Sequence, residues 1–258
     1  MPGSAAGGVA PNIGRMLKIL FLLLSGAKLG KLLTTGGSML LSIGVYALLY
    51  GWRFAAGFVG LLFVHEMGHF IAARQRGLPV GWPTFIPFMG AWIELKQMPH
   101  NAETEAYVGL GGPVLGTLGS LLVYVFARNE GSHLLLALAY SGFFLNLFNL
   151  IPLSPLDGGR ITQVISPRLW LLGLPVLGAV FMWRPSPLLI FVGVLAGLQL
   201  WQARKRRHDP AQQAYHASTT ATTRLTYGAI YVLLLAFLAV MCHDLHEMLQ
   251  RPGASGGA

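Results

Sequence analysis

Residues 33–241 are a succession of apolar runs, each near the length that crosses a bilayer, separated by short polar or proline-containing breaks. This arrangement constrains the fold more than any other feature. A helix that spans the hydrocarbon core needs about 20 mostly apolar residues, with a range of about 17–25. Inside lipid the backbone must satisfy its own hydrogen bonds, which leaves helices or closed barrels. The runs predict helices at 33–50, 54–73, 105–127, 132–153, 168–183, 187–202 and 225–241. The expectation is an all-α polytopic membrane protein of about seven transmembrane helices. Charged residues make up only 10% of the chain, against about 25% in an ordinary soluble domain.

Around these spans the chain divides into an N-terminal segment (1–32), a membrane-embedded core (33–204), a polar loop (205–223) and a last helix with its tail (224–258). The first residues are rich in Gly, Ala and Pro, which predicts disorder. Residues 15–33 mix Leu, Ile and Phe with Lys18, Lys28 and Lys31, a pattern suited to a basic helix lying in the interface, the other reading being the start of a longer spanning hairpin. The net charge of +9 raises nucleic acid as a partner. The basic residues, however, sit in the breaks between apolar runs, where membrane proteins keep them. The expected partner is the lipid bilayer, with no nucleic acid. With seven spans and a cytoplasmic N-terminus, all the Lys and Arg except Arg53, Arg128, Arg184 and Arg251 fall on the inner side, as the positive-inside rule requires. That orientation predicts a multi-pass protein of the plasma membrane. The one cysteine, Cys242, excludes an internal disulfide and a Cys-rich metal site.

The connection between the second and third spans is too apolar for an ordinary loop. Residues 79–96 crowd Trp82, Phe85, Phe88, Trp92 and Ile93 among Pro83, Pro87 and Gly90, which break helices. Residues 92–96 alternate at period two, a strand signal. The prediction is a short β-hairpin dipping into the membrane and turning near Met89-Gly90, with Glu94 and Lys96 toward water.

Near the end of the second span stands His65-Glu66-Met67-Gly68-His69, an H-E-x-x-H string. Two histidines four residues apart share one helical face. A single Zn²⁺ ion accepts both imidazoles and leaves a position for water. Glu66 sits beside them and can take a proton from that water. Ionisable residues inside apolar helices are expensive and usually functional.

A catalytic zinc usually has three protein ligands. Of nine acidic residues, Glu66 and Asp157 alone lie in or against apolar spans on the same side. Asp157 is therefore the candidate third ligand, the other reading being a turn or capping aspartate before Gly158-Gly159. Asn149, eight residues earlier, has two readings. It can satisfy backbone groups freed by Pro152, or it can donate to the oxyanion of a tetrahedral intermediate. Gly112 and Gly116 form a G-x-x-x-G step, read as close helix packing.

At these residues the chain resembles the site-2 protease family of intramembrane zinc metalloproteases. The resemblance rests on H-E-M-G-H, on Gly111-Gly112-Pro113 in the next span, and on N-L-I-P-L-S-P-L-D-G from Asn149 to Gly158. It implies zinc held by His65, His69 and Asp157, Glu66 as general base, and Asn149 near the substrate carbonyl. It also implies transmembrane protein segments as substrates. The alternative from another class is a non-proteolytic membrane zinc-binding protein or transporter. Transporters often carry internal repeats, and none is evident here.

Overall fold

The computed structural model describes residues 27–88, 90–183, 185, 187–205, 209–210, 214–215 and 219–251. Helix α1 (Ala27–Tyr50) and α2 (Trp52–Gln75) meet at Gly51, whose φ of 80° suits a residue without a Cβ. A small sheet follows, β1 (Thr84–Ile86) with β2 (Gly90–Trp92). Then come α3 (Ala102–Glu130), α4 (His133–Asn149), the short α5 (Asp157–Ile165), α6 (Trp170–Trp183), α7 (Pro187–Lys205) and α8 (Ala221–Gln250). The boundaries follow the capping chemistry. The Thr104 N–H donates to Oδ1 of Asn101 at 2.8 Å, and Glu103 and Glu105 occupy the first turn of α3, where the positive end of the helix dipole favours acids.

By length and composition α2, α3 and α8 can each cross a membrane. Of the seven expected spans the other four are shorter apolar helical stretches, at 34–50, 133–149, 170–182 and 189–202. The expected fourth span, 132–153, stops at Asn149, because Pro152 and Pro155 cannot continue a helix. The non-helical residues beyond it are covered by protein: Leu150, Ile151 and Leu153 are buried, as backbone at membrane depth demands. Of the expected interfacial helix, 15–26 lies outside the described residues, while 27–33 forms the start of α1.

Helix α3 is the centre of the bundle, packed against α2, α4, α5 and α8, and α2 packs against α1, α3 and α4. The crossing of α2 with α3 is so close that a Cβ on Gly68 would overlap the Gly111 carbonyl. In lipid there is no hydrophobic drive between helices, so small residues that permit such contact carry the association. A core of Phe143, Leu150, Ile161, Leu238 and Leu245 joins α4, α5 and α8. Leu122, Ile190, Leu198, Val232 and Leu233 are exposed on α3, α7 and α8, as lipid-facing residues would be.

The hairpin is present, with β1 and β2 antiparallel and Phe85 opposite Ala91. The alternation at 92–96 placed the second strand slightly late. The ladder runs through 90–92 and resumes at the Val80–Leu95 bridge with a one-residue offset. Pro83, which has no N–H to donate, lies in the gap. Helix α1 covers one edge: the Phe85 N–H donates to Ser38 Oγ at 3.1 Å, and the Phe88 N–H to the Tyr46 hydroxyl at 3.0 Å. Glu94 and Lys96 are exposed, as expected.

Candidate metal centre

Helix α2 turns His65 and His69 to the same face, and the first residue of α5 brings Asp157 against them. All three are buried. Nε2 of His65, Nε2 of His69 and Oδ2 of Asp157 form a triangle with every side 3.2 Å. The imidazole tautomers follow from the other ring nitrogens. Nδ1 of His65 lies 2.8 Å from Oδ1 of Asn146, whose own Nδ2 donates to the Gly142 carbonyl. Nδ1 of His69 lies 2.7 Å from the Val108 carbonyl. Each Nδ1 therefore carries the proton and donates it. The Gly112 N–H, 3.3 Å from the same His69 Nδ1, cannot then donate there; the shorter contact to a carbonyl decides. Both Nε2 atoms present lone pairs, as does Oδ2.

Three acceptors facing one another in a buried site repel unless a cation sits among them. Three corners of a tetrahedron with this edge surround a point about 2.0 Å from each, within the range for zinc with His and Asp ligands. The three residues can hold one metal ion, and the fourth direction opens toward the cleft.

The surrounding groups fix these three side chains, and much of this was hidden in the sequence. Asn146, buried on α4, accepts from His65 Nδ1 and so holds its ring in place, as acceptors behind metal-binding histidines do. The G-x-x-x-G step does more than let helices approach. A Cβ at Gly112 would collide with Nε2 of His69, and one at Gly116 with Oδ1 of Asn146. Its two glycines make room for the site itself. The only prior signal for Asn146 was its place one helical turn before the Asn149 motif.

Glu66 is buried and forms no hydrogen bond or ion pair among the described residues. It lines a cleft of about 270 Å³ together with the metal-site triad, Asn149 and Ala91 of β2. Asn149 is half-buried, and its side-chain amide likewise makes no hydrogen bond among the described residues. Residues 53–131 match the model of peptidase family M50. Over that segment the chain is similar to the M50 peptidases.

Curated relatives agree with the match. A zinc metalloprotease of Methanocaldococcus jannaschii is 30% identical over 114 residues, which is 41% of this chain and 33% of the relative. A protein named a probable chloroplastic zinc metalloprotease in Arabidopsis thaliana is 26% identical over 156 residues, 42% of this chain and 28% of its own. One with the same kind of name in Oryza sativa subsp. indica is 29% identical over 178 residues, 50% of this chain and 32% of its own. The chain spans about a third of the length of these relatives.

The M50 segment takes in His65, Glu66 and His69 but ends before Asn149 and Asp157. Asn149 ends α4 and Asp157 follows loop 150–156, and this loop and the start of α5 are held from outside the segment. The Tyr231 hydroxyl donates to the Leu150 carbonyl at 2.5 Å, and Trp170 Nε1–H to the Gly159 carbonyl at 2.9 Å. Helices α6 and α8 thus set the third corner of the triangle.

Proposed function

We propose that this chain is an intramembrane zinc endopeptidase, with zinc on His65, His69 and Asp157 and Glu66 as general base. The observation that carries the proposal is the triangle of three buried acceptors beside an unpartnered buried carboxylate, in a cleft between apolar helices. When bound, zinc acidifies a water and polarises the scissile carbonyl. Glu66 takes the proton from that water and passes it to the leaving amine. Asn149 donates from its amide to the developing oxyanion. Its lack of a partner favours this role over the relief of backbone groups near Pro152.

The substrate is a transmembrane or membrane-proximal segment in extended form, because a helix hides its carbonyls. The hairpin supplies an edge for it. Phe85 and its opposite, Ala91, form a pair whose backbone groups point away from each other. The Phe85 N–H is taken by Ser38, and the Ala91 N–H faces the open edge. Ala91 and Ile93 line the cleft, so a peptide can add there as a further strand. We read the chain as crossing the plasma membrane seven times, with its N-terminus and the loop near Arg204 and Lys205 in the cytoplasm. The basic residues support this orientation.

The deciding experiment compares wild type with Glu66→Gln on membrane-segment substrates, with zinc content measured in both. Loss of cleavage with zinc retained supports the reading. Cleavage by Glu66→Gln at near wild-type rate refutes the general-base role.

A further inference from the structure

Arg160 stands one helical turn after Asp157, on the same side of α5. Its stem is wedged against α3, where its Cβ lies 3.1 Å from the position a Cβ would take on Gly109. It is half-buried, and among the described residues it forms no ion pair and no side-chain hydrogen bond. Arg160 and Pro155 are the partition between two cavities. One is the cleft with the metal-site triad; the other, of about 190 Å³, lies between α3, α7 and the segment after the hairpin. Arg160 is the only Lys or Arg among the described residues lining either.

An arginine so placed is expensive to leave unpaired, since a partly desolvated charge costs free energy unless an anion or several acceptors meet it. The nearby acids do not supply the partner. Asp157 is committed to His65 and His69, and Glu66 forms no ion pair with Arg160 among the described residues. Glu105, on the wall of the second cavity, accepts a 2.6 Å hydrogen bond from the Tyr215 hydroxyl. Burial and the Glu105 charge hold that phenol far above its ordinary range, so it remains a donor. Among the described residues the second cavity thus contains one engaged carboxylate and one cation without an ion pair. Ser154 and Gln199 add neutral hydrogen-bonding groups to its wall.

We infer that the second cavity is a substrate subsite in which Arg160 binds a carboxylate of the peptide lying in the cleft. The inference rests on the reading of that cleft as a peptide-hydrolysing site. The planar guanidinium offers paired donors that match a carboxylate bidentately. The carboxylate is either an Asp or Glu side chain close to the scissile bond or the free C-terminus of a previously shortened substrate.

The test uses the full chain in detergent, loaded with zinc. Peptides derived from a cleaved membrane segment carry Glu, or its neutral isostere Gln, at each position flanking the cut in turn. Each is made with a free and with an amidated C-terminus. Two ratios are measured for every pair: kcat/KM on the wild-type background and Kd on the Glu66→Gln background, where nothing need turn over. A charge-assisted hydrogen bond predicts a carboxylate advantage of about 10-fold or more at one position. A preference that survives amidation assigns the site to a side chain; one lost on amidation assigns it to a terminus. Arg160→Gln should bring the ratio to about 1, Arg160→Lys should keep part of it, and Arg160→Glu should invert it in favour of the Gln peptide. These ratios are independent of the absolute rate or yield of each variant. The inference is overturned if the wild type shows less than about 2-fold preference at every position in both measurements. It is equally overturned if the preference survives Arg160→Gln. A carboxylate preference in binding without any cleavage would reject the hydrolytic reading while leaving the subsite standing.

Discussion

Asn146 offers the most direct test of how the metal centre is built. In Asn146→Ala the acceptor 2.8 Å from His65 Nδ1 disappears. Asn146 is 1% exposed, so no bulk water replaces it, and the imidazole N–H is left unpaired. An unsatisfied buried donor costs about 1–3 kcal/mol, or about 5- to 160-fold in a binding constant. That range brackets the roughly 10–100-fold loss typical of removing such a partner from a metal ligand. Zinc affinity should therefore fall by about 10–100-fold, measured by competition with a chromophoric chelator on purified protein. Asn146→Asp, which keeps an acceptor facing Nδ1, should lose far less. Gly116→Ala should act in the same direction as Asn146→Ala, because its new methyl would occupy the space of Asn146 Oδ1. Thermal unfolding of the metal-free variants separates a loosened site from a lost fold. If folded Asn146→Ala binds zinc within about 2-fold of wild type, the reasoning from the Nδ1 hydrogen bond is wrong.

Other outcomes test the remaining roles. His65→Ala should lose zinc and cleavage together, whereas Glu66→Gln should lose cleavage alone, checked by metal analysis beside a peptide assay. Asn149→Ala should lower turnover by roughly 10²–10³ with zinc retained if its amide meets the oxyanion; lost expression instead would mark a structural residue. Ile93→Pro removes one donor from the free edge of the hairpin. It should cut cleavage by about 2- to 12-fold, the worth of one backbone hydrogen bond, without changing zinc content, and unaltered cleavage would dismiss the strand-addition idea. In a Cys242→Ser background, Arg204→Cys should react with an impermeant thiol reagent only from the cytoplasmic side; labelling from outside would reverse the orientation.

Local pattern determined a good deal of this protein. The lengths of the apolar runs gave the helices, since the hydrophobic requirement of a membrane span is a property of one segment. The spacing of His65 and His69 gave half of the metal site, because residues four apart on a helix share a face whatever surrounds it. The prolines and alternation of 79–96 announced a hairpin, though not its register, which Pro83 and the bridge at Leu95 decided through pairing between distant residues. What the chain alone could not determine are the contacts across the bundle. Asp157 meets the histidines where Tyr231 holds the loop before it at Leu150 and Trp170 holds the helix after it at Gly159. Asn146 became a partner of His65, and Gly112 and Gly116 became space for side chains, only when α2, α3 and α4 met. Arg160 reads in sequence as one more inner-side cation; only the packing of α5 against α3 leaves it unpaired between two cavities. Hydrogen bonds and steric fit between residues tens of positions apart depend on which helices touch, and no local pattern encodes that.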